Sequence, residues 1–194
     1  MASYGRALAA LHPIIDTLYR SLEEGLEESQ QYHTDKMYRR VDDPHFYLHA
    51  ARRHACTVLE GEGLSAKLIE EGSALNMSGI LVYYNGLAVR VLHTQRDPKR
   101  KVEVPVPGRS RLRQEFWRQV PTIPGLETDN LLLLWLDEEG VLEDPMILVR
   151  PLGGDHQRAN LRLDWRGKVS RDMAGRRAED LVGLEPDWQA ERLA

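Results

Sequence analysis

Leu8, Leu11, Ile15, Leu18 and Leu22 recur at three- and four-residue steps, the stripe of an amphipathic helix. Glu23, Glu24, Glu27 and Glu28 follow, and the pattern fades before Asp35. Acids toward the negative C-terminal end of a helix predict that this end frays or pairs with a basic neighbour. Asp42-Asp43-Pro44 joins an acidic cap to a first-turn proline. It predicts a second helix that runs to about Leu59 and stops at Gly61 and Gly63. A further short helix is expected from Ser65 to Glu71.

The period then changes from helical to alternating. Ile80 to Tyr84 and Leu87 to Leu92 flank Asn85-Gly86, the strongest short-range hairpin signal. A two-residue turn sets Tyr84 against Leu87, Val82 against Val89 and Ile80 against Val91, all on one apolar face. Arg90 falls on the other face beside Leu81, Tyr83 and Leu92, and that face is expected to be half-buried at most. Pro105, Pro107 and Gly108 then carry a stiff loop to Ser110, an N-cap for a helix with Leu112, Phe116 and Val120 inward. Pro121, Pro124 and Gly125 are expected to end it. Leu131 to Leu136 is a continuous apolar run, as in a central strand covered on both faces. Asp137-Glu138-Glu139-Gly140 reads as a turn and Met146 to Val149 as the returning antiparallel strand. Leu161, Leu163 and Trp165 alternate with polar residues and predict another strand. The elements add up to an α+β domain over residues 1–166, with N-terminal helices packed on a mostly antiparallel sheet and one inserted helix. Residues 167–194 read as a loose polar tail with short helices.

Composition narrows the class. A chain of 194 residues, 42% hydrophobic and 29% charged, is long and apolar enough to bury a core. No apolar run approaches the roughly 20 residues of a membrane span, so no membrane role is expected. His12, Asp16 and Arg20 interrupt the apolar N-terminus, which does not read as a signal peptide. Cys56 is the single cysteine, in keeping with a reducing cytoplasm.

Charge singles out one stretch. Between Arg96 and Arg118 eight basic residues face three acids, a local +5 in a chain of net −4. Arg109, Arg111 and Arg113 surround Ser110, where helix-start N–H groups attract anions, and Lys99, Arg100 and Lys101 lie just upstream. These seven residues form the candidate anion-binding site, for phosphate, nucleic acid or an acidic protein partner. Trp117, Tyr83 and Tyr84 offer stacking surfaces. Arg111 also has Glu115 four residues on, the spacing of an ordinary surface ion pair.

Catalytic and metal motifs are incomplete. His45 and His49 have the spacing of a zinc-chelating pair, with Cys56 farther along, but Phe46 replaces the glutamate of a His-Glu-x-x-His site. A restriction-type nuclease core needs an Asp followed by Glu-x-Lys. Asp97 and Glu103 fit, but Pro105 stands in the lysine's place. Asp137, Glu138, Glu139, Glu143 and Asp144 suit a solvated hairpin tip. No Gly-x-Ser-x-Gly elbow surrounds a serine, and Gly153-Gly154 lacks the lysine of a phosphate loop. No catalytic residue, metal ligand or cofactor is assigned.

The Asn85-Gly86 hairpin with Arg90-Val91-Leu92, the Val106-Pro107-Gly108 loop leading to Ser110 and Arg113, and the strand from Asn130 to Trp135 occur in an order that resembles a family of uncharacterised actinobacterial and actinophage proteins. The resemblance covers roughly residues 76–155. It implies a bacterial cytoplasmic accessory gene, regulatory or phage-related, and brings no activity or catalytic residue with it. The resulting expectation is a non-enzymatic regulatory or interaction protein with an arginine-lined anion site. The alternative is a metal-dependent nuclease or toxin of a bacterial accessory or defence locus.

Overall fold

Pro13 divides the first predicted helix in two. A computed structural model, describing residues 2–68, 79–99, 101–121 and 128–190, places α1 at Tyr4–Leu11 and α2 at Ile15–Asp35, with a 3-10 turn, His12–Ile14, between them. The leucine stripe remains continuous across the break and is buried. The acids behave as expected in one case: Glu23 accepts from Arg171 at 2.7 Å. The second helix, α3, spans Pro44–Gly61, and its cap Asp43 accepts from the N–H of Phe46 at 2.9 Å. Helices α2 and α3 cross closely at Gly25, where a Cβ would collide with the carbonyl oxygen of Ala51.

Among the described residues nine strands follow: β1 (Ser65–Leu68), β2 (Ile80–Tyr84), β3 (Leu87–His93), β4 (Asp129–Trp135), β5 (Asp137–Glu138), β6 (Val141–Leu142), β7 (Met146–Gly153), β8 (Arg162–Val169) and β9 (Trp188–Gln189). Seven of them form one sheet in the order β1-β2-β3-β4-β7-β8-β9, antiparallel throughout except for the parallel pair β3–β4. The expected hairpin register holds, with Ile80 opposite Val91, Val82 opposite Val89 and Tyr84 opposite Leu87. Asn85 and Gly86 have φ of 45° and 76°, the left-handed pair that a tight hairpin requires. The fold is α+β.

Both faces of the sheet are covered. The first packs Val82, Val89, Leu131, Leu133 and Trp165 against α1, α2 and α3. On the second, Leu81, Ala88, Leu132, Leu134 and Val149 lie under Val104, Phe116 and Trp117. This corrects the expectation of a half-exposed second face. Arg90 is buried there, its guanidinium carbon 4.7 Å from the Phe116 ring centroid, so the stacked aromatic side chain covers what looked like a solvent-facing charge.

Four local expectations also change. The stretch from Ser65 does not form a helix; Ser65–Leu68 is the edge strand β1, and 69–71 lie outside the described residues. Helix α4 is short, Arg111–Trp117, because the chain turns left-handed at Gln119 (φ 64°) before the prolines are reached. It turns Phe116 and Trp117 inward and leaves Leu112 and Val120 exposed. In β8 a bulge at Asp164 separates Leu163, on the second face, from Trp165, on the first. Between Gly167 and Ala190 the chain is docked: α5 (Ala178–Val182) buries Leu181 and presses its carbonyls against Gly5 of α1. Among the described residues no helix is long and apolar enough to cross a membrane.

Candidate functional site

Ser110 caps α4 as expected, its hydroxyl accepting from the N–H of Arg113 at 3.4 Å. The arginines around it differ. Arg111 Nε donates to Glu115 at 2.7 Å, the ordinary surface pair. Arg113 is half-buried and lies back beside Gly108, and Arg109 is exposed. Lys99 and Lys101 ride on another turn, where the Asp97 carboxylate accepts from the backbone N–H of Lys101 at 2.8 Å. Arg100 lies outside the described residues. Backbone proximity keeps Arg109 to Arg113 together, but α4 has only seven residues and the side chains do not converge on one described cavity.

Of the carboxylates in the nuclease alternative, Glu103, Asp137, Glu143 and Asp144 are held by donors within the fold. Glu103 accepts from Gln95 at 2.9 Å and from Arg158, and Glu143 accepts from Arg96. Asp144 accepts from the Tyr19 hydroxyl at 2.6 Å. Asp137 is wholly buried at its side chain and takes Arg40 through both guanidinium nitrogens, His93 Nε2 at 3.1 Å and the N–H of Gly140 at 3.0 Å. Burial pushes this carboxyl up, but the His93 and Arg40 hydrogen bonds and the Arg40 charge outweigh it and hold the pKa well below the carboxylate range. On α3, His45 is exposed, His49 half-buried and Cys56 buried, its thiol pushed up by burial and by Glu60. Among the described residues no three His, Cys, Asp or Glu are grouped to hold a metal ion.

The Arg40–Asp137 contact anchors the connection between α2 and α3 to the ends of the two parallel strands. Arg40 also lies over Tyr47, with its guanidinium carbon 4.5 Å from the ring centroid. Around this anchor the connection carries an apolar surface that sequence reasoning missed. Tyr38 N–H donates to the carbonyl of His33 at 2.8 Å and Met37 N–H to that of Thr34 at 3.1 Å, closing α2 with a Schellman turn. The residue in the left-handed position of that turn is normally glycine; here it is Met37, φ 56°. Met37 is 92% exposed, Val41 78%, Tyr38 56%, Tyr32 41% and Phe46 39%.

This corner has an ordered aromatic base. His33 is buried and its Nδ1–H donates to the carbonyl of Ser29 at 2.8 Å. Around its ring stand those of Tyr47, Phe46, Tyr32 and Tyr38, with centroids 5.1, 5.4, 6.0 and 6.1 Å away. A cavity of about 250 Å³ opens among His33, Met37, Tyr38, Asp42, Asp43 and Phe46, with Arg39 at its edge. The signal available in the sequence was the presence of Met37, Tyr38, Val41 and Phe46 among charged residues, at no spacing that a helix or strand could bury. No protein-family model matches the chain, and neither a curated protein nor a solved structure matches it. The likeness to actinobacterial and actinophage proteins therefore assigns no family.

Proposed function

We propose that this protein works by binding another protein, and that the corner between α2 and α3 is its contact surface. The observation that carries this reading is Met37. A large apolar side chain occupies a backbone conformation that favours glycine and stands almost wholly in water, beside a cluster of packed rings. A left-handed non-glycine residue costs on the order of 1 kcal/mol, and its exposed methyl-terminated chain gains nothing from the fold. Clustered with Tyr32, Tyr38, Val41 and Phe46, it forms the kind of apolar patch that marks interfaces. The reading is non-enzymatic, and the engagement of Glu103, Asp137, Glu143 and Asp144 by arginine, histidine, hydroxyl and backbone donors favours it over the nuclease alternative. It moves the contact surface away from the arginines around Ser110, where Arg111 is paired and α4 is a single short helix.

The test is affinity capture from the native host with wild type, Met37→Glu and an Arg109→Ala/Arg111→Ala double variant. A specific partner retained by wild type and by the arginine variant, and lost at least about tenfold by Met37→Glu (about 1.4 kcal/mol), supports the corner. Equal capture by Met37→Glu, or loss with the arginine variant alone, overturns it.

A further inference from the structure

The cavity in this corner carries carboxylates as well as apolar groups. From Tyr32 to Asp43 three acids, Asp35, Asp42 and Asp43, stand among three basic residues, Lys36, Arg39 and Arg40. One of the three bases, Arg40, is directed inward to Asp137. With Arg40 withdrawn, Asp35, Asp42 and Asp43 outnumber Lys36 and Arg39 at the surface, which favours a basic segment over an anionic one.

The cavity sharpens that chemistry. Its volume of about 250 Å³ suits one side-chain head group and stem and falls short of the usual range for a drug-sized ligand. Its walls combine the rings of His33, Tyr38 and Phe46 with the carboxylates of Asp42 and Asp43. The Tyr38 and Phe46 rings meet that of His33 at 75° and 44°, so their faces do not stack flat and can present π-surface to a bound cation. Arg39 indicates the group that fits: its Nη2 and Nε donate to the two oxygens of Asp42 at 2.7 and 3.0 Å. Asp42 is thus placed to receive a planar guanidinium edge-on, yet this exposed three-residue pair is worth little and exchanges readily. Asp43 uses one oxygen on the N–H of Phe46 and keeps its charge at the rim.

We infer that this cavity takes an arginine side chain from a basic, apolar segment of the partner protein, with Arg39 standing in for it until the partner arrives. The inference rests on the corner being the contact surface. The incoming guanidinium replaces that of Arg39 on Asp42 and lies against Tyr38 and Phe46, while neighbouring apolar side chains of the segment cover Met37 and Val41.

Three fluorescently labelled peptides test it by anisotropy: one with arginines spaced by leucine and glycine, one with citrulline and one with glutamate in place of arginine. Citrulline keeps the shape and removes the charge. The arginine peptide is expected to bind at least severalfold tighter than either counterpart. Asp43→Asn keeps the helix cap, and Phe46→Leu keeps apolar bulk without the ring; each should weaken arginine-peptide binding about three- to tenfold. Arg39→Ala should tighten it severalfold by removing the internal competitor. Equal binding of the arginine and citrulline peptides, or affinity indifferent to both Asp43→Asn and Phe46→Leu, overturns the inference. So does concentration-dependent self-association abolished by Met37→Glu without peptide binding, which would make a second copy the occupant. If native capture still depends on Met37 while the arginine peptide fails, the contact surface stands and only the cation preference falls; if both fail, both fall.

Discussion

Helices α3 and α4 begin alike and end up doing opposite things. Each follows an irregular, charged loop, and each is capped by a side-chain oxygen, Asp43 in one and Ser110 in the other. At α4 the aromatic residues, Phe116 and Trp117, turn inward and close the second face of the sheet. Its basic residues lie along the surface, with Arg111 on Glu115. At the start of α3 the charge that matters, Arg40, turns inward, and the rings and Met37 turn out. Exposed charge is the ordinary state of a protein surface, whereas a cluster of exposed large apolar groups is not. On that ground the loop with the misplaced hydrophobics, more than the loop with the denser charge, is the proposed surface for recognition.

The widest gap between the two should appear when an aromatic is truncated in each. Phe116→Ala is expected to cost about 3–5 kcal/mol through lost burial and a cavity, and Phe46→Ala less than about 1 kcal/mol. Denaturant melts with equal losses would make the corner part of the core and erase the contrast. Next comes Arg40→Ala, which leaves the buried Asp137 carboxylate with His93 and one backbone donor, at a cost of about 3 kcal/mol. The pH dependence has a definite sign. Asp137 is more acidic folded than unfolded, so it stabilises the protein above its unfolded pKa of about 4, and that contribution drains as pH falls toward the folded value. Melts from pH 7 to 3 should show wild type losing stability on acidification and Arg40→Ala losing less. The smallest change is the most telling. Met37→Gly should stabilise the fold by about 0.5–1 kcal/mol while weakening partner capture, since glycine suits the left-handed turn and lacks the side chain. A destabilised Met37→Gly would mean that the exposed methionine serves the fold after all.

Where a local rule and the tertiary environment agreed, the sequence could be read directly. Asn85-Gly86 dictates its turn, and only one register of the flanking residues gives a continuous apolar face, so the hairpin was legible pair by pair. Asp43-Pro44 and Ser110 announce helix starts through chemistry contained within three residues. Helix ends and faces were harder. Leu112, Phe116 and Val120 share a face only if the helix reaches Val120, and the side chain of Gln119, donating to the carbonyls of Asn130 and Pro151 at 2.8 Å, fixes an earlier stop through residues remote in sequence. Arg90 looked solvent-facing because its cover, Phe116, arrives from the far side of a crossover. The corner between α2 and α3 was least legible: its apolar residues follow no period, and periodicity reports burial, not display.

The parallel pairing of β3 with β4 bears on how the chain finds this structure. On one side β1, β2 and β3 form an antiparallel unit; on the other β4, β7 and β8 form a second, with neighbouring strands also close in sequence. The two units pair where Leu87 to His93 align with Asp129 to Trp135, across a crossover laid over the second face. Closing that seam costs loop entropy that local contacts do not repay, which predicts that it is the slow step of folding. Pulse-labelled hydrogen exchange should find the β2–β3 hairpin amides protected before those shared by β3 and β4; simultaneous protection would mean that the two units do not form separately.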